Sequence, residues 1–265
     1  MKISKEDKKL KYDREILYVQ KLYFFLYLMS FFLCISLIVL WRIGVGPALA
    51  LFALGLGLSY LTMIKRRSFS PPAKKISAQR IAKEISRNSN PLVISRFTSQ
   101  LYFYFNETEL AVSLLEKFIP TGDSLICATL GDILLRENQP KKALSIIRGN
   151  SQALLDPLLL FIQGQIYSQT QQMPEAVKMF ERSLYFAKRG GFPHNGAHAL
   201  TQFFLTLSYT ASIHHALADC YSYMENFSAA KRHYWSGNLR LLDVTLWRYP
   251  QRPNDFSLKN YRKYQ

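Results

Sequence analysis

Hydrophobic and polar positions divide this chain into three regimes. Residues 22–41 carry no charge, with Ser30 and Ser36 as small polar interruptions, and residues 43–64 are again free of charge. Each run has about the 20 residues that an α-helix needs to cross the hydrocarbon core of a bilayer. Arg42, Gly44, Gly46 and Pro47 stand between them and leave room only for a tight turn, so the pattern predicts a transmembrane helical hairpin over residues 22–64. A secretory signal peptide would have a shorter apolar core ending at a small-residue cleavage site, whereas here a second apolar run follows at once. Gly46, Ala50, Ala53 and Gly57 form a stripe of small residues on the second run. Such a stripe predicts close van der Waals contact with the aromatic-rich first run. Residues 65–91 follow as a basic juxtamembrane linker broken by SFSPP at 68–72. Within it Ala78, Ile81, Ala82 and Ile85 share one helical face, while Lys74, Lys75, Arg80, Lys83 and Arg87 lie mostly elsewhere. That amphipathic helix suits either the inner leaflet or an ordinary solvated linker.

From residue 92 to 244 the spacing becomes that of packed helix pairs. Gly131, Leu134, Ala143 and Ile147 stand at offsets 0, 3, 12 and 16, as do Gly164, Tyr167, Ala176 and Phe180, and again Ala218, Tyr221, Ala230 and Tyr234. The first small residue lets a partner helix approach, the bulky one fills the gap beside it, and the alanine after the turn marks the second helix's close contact. Ser99, Tyr102, Ala111 and Leu115 form a weaker, earlier copy. The alanines after the turn are separated by 32, 33 and 54 residues, so the last interval holds about 20 extra residues between 188 and 210. Residues 197–210 are apolar enough to begin an unusually long first helix of the last pair, or to form an extra helix.

The pattern resembles the tetratricopeptide repeat family, whose unit is a helix–turn–helix of about 34 residues. The best copy spans residues 157–190, with Leu160, Gly164, Tyr167, Ala176 and Phe180 in the family's places and Ser183 where an alanine usually closes the pattern. The resemblance implies an all-α fold: a two-helix transmembrane hairpin, then an α-solenoid of three to four repeats. It also implies a concave groove lined by the first helix of each pair, here at Asp132, Leu135, Phe161, Gln165, Ser168, His215, Asp219 and Ser222. Some members of the family clamp the acidic tails of chaperones with Lys, Asn and Arg. The matching places here hold Asp132, Gln165 and Asp219, and an acidic peptide end would meet like charge. A mixed apolar or weakly basic segment fits better.

Charge fixes the expected orientation. Of 34 Lys and Arg against 18 Asp and Glu, seven basic side chains fall in residues 1–21 and nine in residues 65–96, whereas Arg42 alone lies between the apolar runs. The positive-inside rule then puts both termini and the repeats in the cytoplasm, at a plasma or inner membrane. There the sequons at Asn106 and Asn226 would stay unmodified. Lys65, Arg66, Arg67, Lys74 and Lys75 are the expected contacts with anionic lipid, each worth about 1 kcal/mol. Cys34, Cys127 and Cys220 are too scattered for a disulfide framework. Residues 245–265, basic and aromatic, are expected to cap the last helix rather than to bind RNA or lipid.

No catalytic residue, metal or cofactor is expected. His194 and His198 lie in a loop-like stretch with Pro193 and Gly196, and on a helix His214 and His215 would point about 100° apart. The expected function is a non-enzymatic, membrane-anchored scaffold or assembly factor for a protein or peptide partner, with no specific nucleic acid. The alternative expectation is a structural or transport-associated subunit whose hairpin is the working part.

Overall fold

In the computed structural model, residues 5–65, 78–192, 199–241 and 247–248 are described. They are helical throughout, with no strand among them. Two compact units are present, one around the first two helices and the other holding residues 78–241.

Helix α1 runs from Lys5 to Arg42 and α2 from Val45 to Lys65. They are joined where Ile43 and Gly44 both donate to the Val39 carbonyl, at 2.8 and 3.2 Å, and Gly44 takes φ +120°, a conformation that side chains rarely adopt. Among the described residues one helix is long and apolar enough to cross a bilayer: Phe24–Arg42, 19 residues of mean hydropathy 2.4. Of the two spans expected, this helix supports one, and the second is not supported. On α2, a helix of 21 residues, the apolar stretch among the described residues is Val45–Leu61. The expected contact stripe is also displaced. Gly46, Ala50, Ala53 and Gly57 are exposed, and the face turned inward is Ala48, Gly55 and Ser59. A Cβ on Gly55 would collide with the Phe32 ring of α1. The Ser59 hydroxyl returns its hydrogen bond to the Gly55 carbonyl at 2.6 Å, whereas the buried Ser36 Oγ of α1 finds no partner among the described residues.

The second unit is built from helix pairs. Helix α3, Ala78–Arg87, buries Ile81 and Ile85 against α4, Pro91–Gln100, and α5, Thr108–Glu116. Its apolar face is thus satisfied within the protein rather than turned to a leaflet. Then come α6, Ser124–Arg136; α7, Pro140–Arg148; α8, Pro157–Gln169; α9, Met173–Gly190; α10, Ala199–Tyr223; and α11, Phe227–Asn238. Helix α6 packs on α7, α8 on α9 and α10 on α11, while α4 touches α6 and α9 touches α10. A single 25-residue α10 takes up the extra length after α9.

The small-and-bulky code works through direct contact. A Cβ on Gly131 would lie 2.8 Å from Ile147, and one on Gly164 would lie 2.5 Å from the Phe180 ring. Ala218, Ala230 and Tyr234 form one buried cluster, with Tyr221 packed against it. Among the described residues the four non-glycine residues of positive φ, namely Asn106, Asn138, Gln171 and Glu225, stand five places before Ala111, Ala143, Ala176 and Ala230. Each closes the turn within a pair. After three of them the next amide reaches back five residues, from Gln139 to Leu134, Gln172 to Tyr167 and Asn226 to Tyr221, at 2.8–2.9 Å. These left-handed closures satisfy helix-terminal carbonyls that would otherwise be orphaned.

The start of each pair repeats too. Asn90 accepts from the Leu92 amide, Asp123 from Leu125 and Ile126, and Asp156 from Leu158 and Leu159. These N-caps are spaced 33 residues apart. The first pair departs from the others after Gln100, where Leu101–Phe105 forms a π-helical turn. One residue is inserted there, and the Glu107 amide reaches back six places, to Leu101. The fully buried small residue upstream is therefore Thr98 rather than the expected Ser99.

Candidate partner-binding surface

The eight residues expected to line a groove divide by burial. Leu135, Phe161, His215 and Ser222 are buried, whereas Asp132, Gln165, Ser168 and Asp219 keep partial exposure. On α6, Asp132 holds Arg136 at 2.8 Å, one turn on, and that guanidinium lies 5.0 Å from the centre of the Phe103 ring. The Tyr102 hydroxyl donates to Glu137 at 2.8 Å, joining the π turn to the end of α6. Burial and the Glu137 carboxylate both hold that phenol well above its ordinary range.

Phe161 of α8 is an interior aromatic. Its ring lies 5.9 Å from Phe180 of α9 and 6.2 Å from Tyr209 of α10, and Tyr209 stacks on Phe192 at 4.9 Å. Tyr209 and Phe192 belong to the inserted length, where no repeat register could have pointed to them. Gln165 is half-buried, and its Oε1 finds no hydrogen-bond donor among the described residues. The Ser168 hydroxyl receives the Cys220 thiol at 3.9 Å, which ties α8 to α10. Burial pushes that thiol up to about 11, so it is a poor nucleophile at neutral pH.

The three positions on α10 are turned towards α11. His215 Nε2 lies 2.9 Å from Asn238 Oδ1, and a Cβ on Gly237 would come within 2.5 Å of that imidazole. Asp219 accepts the Tyr234 hydroxyl at 2.7 Å on one oxygen and Arg248 Nη1 at 3.1 Å on the other. Burial pushes the Asp219 carboxyl upward, while Arg248 and Tyr234 pull it down. With 39 % of the side chain accessible, solvent tempers the upward push. Burial lowers His215 to about 4, with Arg248 acting in the same direction and the Asn238 hydrogen bond opposing. His214 pairs instead with His233 of α11, the two Nδ1 atoms 3.0 Å apart.

Among the described residues no group of three or more His, Cys, Asp or Glu side chains is arranged to hold a metal ion. His194 and His198 lie outside the described residues, as do Arg66, Arg67, Lys74 and Lys75; Lys65 ends α2. Sequence reasoning missed Tyr234 and Asn238 as parts of this surface. The available signal was the basic composition of residues 245–265, in which Arg248 is one of five basic side chains. Compared with known proteins, the chain matches no protein-family model, no curated protein and no solved structure.

Proposed function

We propose that the protein is a membrane-anchored scaffold whose helix pairs, similar to tetratricopeptide repeats, bind a protein or peptide partner on the cytoplasmic side. The observation that carries this reading is the register of the pairs: the same small-and-bulky contact at Gly131, Gly164 and Ala218, closed each time by a left-handed turn. Stacked pairs of this kind extend a surface rather than enclose a pocket. Polar groups spaced along α6, α8 and α10 (Asp132, Gln165, Ser168 and Asp219) are the accessible part of it. The apolar helix Phe24–Arg42, with α2 folded back beside it, serves as the anchor and keeps the scaffold near its clients. No enzymatic role is proposed.

The test is alkaline extraction of membranes carrying either the full chain or a chain without residues 1–72. The full chain is expected in the pellet and the truncated one in the supernatant. Retention of the truncated chain on membranes with unchanged partners would remove the anchor from this reading.

One observation favours a second reading. Gly46, Ala50, Ala53 and Gly57 are uncovered on the outer face of α2, where small residues suit a neighbouring helix in lipid. The hairpin would then be the working part within a membrane complex. Ala50→Leu with Ala53→Leu separates the two readings: loss of complex membership with the helix pairs intact supports the second, and loss on Gln165→Ala supports the first.

A further inference from the structure

The α10–α11 end carries a small receptor that is already occupied by the chain's own tail. Asn238, 1 % exposed, uses both ends of its amide on one residue: Nδ2 donates to the Arg248 carbonyl at 2.6 Å, and Oδ1 accepts the Arg248 amide at 2.9 Å. A side-chain amide that pairs with the N–H and C=O of a single residue reads extended backbone whatever its side chain, much as a neighbouring strand would. Beside it, Asp219 accepts the Arg248 guanidinium at 3.1 Å. Both receptor groups are held from behind. His215 Nε2 donates to Asn238 Oδ1 at 2.9 Å, and the Tyr234 hydroxyl fixes the other Asp219 oxygen at 2.7 Å. Groups positioned in this way lose little freedom on binding. Arg248 itself is 52 % accessible and completes no core, so the site does not depend on it for packing.

We infer that the Asp219–Asn238 site recognises an extended, arginine-bearing segment of a protein partner, and that Arg248 is a tethered stand-in which such a segment must displace. The inference rests on the scaffold reading above and names the chemistry of its partner. It also explains why an acidic residue occupies the Asp219 place, where it would repel an acidic peptide end. Arg248 stands ten positions after Asn238, and a tether that short holds its ligand at an effective concentration on the order of millimolar. A partner in trans therefore meets a closed site until it outcompetes the tail.

The experiment uses the full chain in lipid nanodiscs and a fluorescein-labelled peptide with the sequence of residues 243–250, followed by fluorescence anisotropy. Arg248→Ala in the protein is expected to bind the peptide at least tenfold more tightly than the wild type. Asp219→Asn added to that variant is expected to erase the gain. A peptide with alanine in place of its arginine is expected to bind Arg248→Ala at least tenfold more weakly. Equal binding of both peptides, or no gain on Arg248→Ala, overturns the inference. Hydrogen exchange at the Arg248 amide of the wild type gives a readout that needs no variant: excess peptide is expected to accelerate it, and an unchanged rate is equally fatal. If these arms fail while a photo-crosslinker at Gln165 still captures the same membrane partner as before, this inference falls and the scaffold function stands.

Discussion

Gly164 shows how much of this fold turns on single atoms. A Cβ there would lie 2.5 Å from two Phe180 ring atoms, and Phe180 is fully buried and packed on Phe161. The ring has nowhere to go, so Gly164→Ala should destabilise by about 1–3 kcal/mol, the usual cost of overpacking. At Gly131 the nearest atom is the terminal methyl of Ile147, at 2.8 Å, which another rotamer can withdraw. Gly131→Ala should therefore cost less, and thermal melts of the two variants test that order. The left-handed turn residues predict the opposite sign. A side chain at positive φ costs about 1–2 kcal/mol, partly offset by the backbone freedom that glycine adds to the unfolded chain. Gln171→Gly, at φ 61°, is expected to gain roughly 0.5 kcal/mol in urea titrations. Asn138→Gly should be near neutral, because asparagine already tolerates that region. The contacts at offset 16 were legible in the sequence because glycine and alanine advertise close approach. The turn residues were not: Asn, Asn, Gln and Glu share no side-chain signal, and only the distance to the following alanine unites them.

At the scale of elements, the α10–α11 pair joins the buried imidazole of His214 to the half-buried one of His233, with Nδ1 atoms 3.0 Å apart. One proton can lie between them, and a second charges the interface. Burial lowers His214 to about 3, with Arg240, His233, Lys188 and His215 adding repulsion, while burial and Arg248 lower His215 to about 4. Both values lie below the ordinary 6.5 of the unfolded chain. Above that pH neither state carries the protons and stability is unaffected. As pH falls below 6.5 the unfolded chain takes up protons that the folded chain refuses, so stability is lost. The melting temperature should be lower at pH 5 than at pH 7.5. His214→Phe should flatten that slope, and a slope unchanged by it would show that the pair is not responsible. Asp219, raised by burial, acts with the opposite sign as pH falls, so the readout is the change of slope on His214→Phe. Element faces were less legible than element positions. Helix α2 carries small residues on two faces, and the Phe32 ring selects the one with Gly55. A basic helix with an apolar stripe looks the same in sequence whether lipid or protein covers it, and here Ile81 and Ile85 face α4 and α5. The π turn at Leu101–Phe105 left no trace in its run of aromatics, yet it shifts the first pair by one residue.

For the molecule as a whole, charge and accessibility together bear on orientation. Seven basic residues precede the first apolar run, nine cluster around and after the end of the second, and Arg42 stands alone between, so the turn should face away from the side that holds the termini. Cysteine labelling can decide this with little background, since Cys127 and Cys220 are buried and Cys34 lies within the apolar part of α1. Ser113 is exposed on α5 and Trp41, beside the turn, is 88 % exposed. In intact cells a membrane-impermeant maleimide should modify Trp41→Cys and spare Ser113→Cys. After the membrane is opened, both should react. Reaction at Ser113→Cys in intact cells would place the helix pairs outside and would end the cytoplasmic reading, along with every partner argued from it. Protection of both positions in intact cells would mean that α1 and α2 do not bring the turn to the far surface. A shallow hairpin would then replace the spanning one, and the helix pairs would keep their cytoplasmic place.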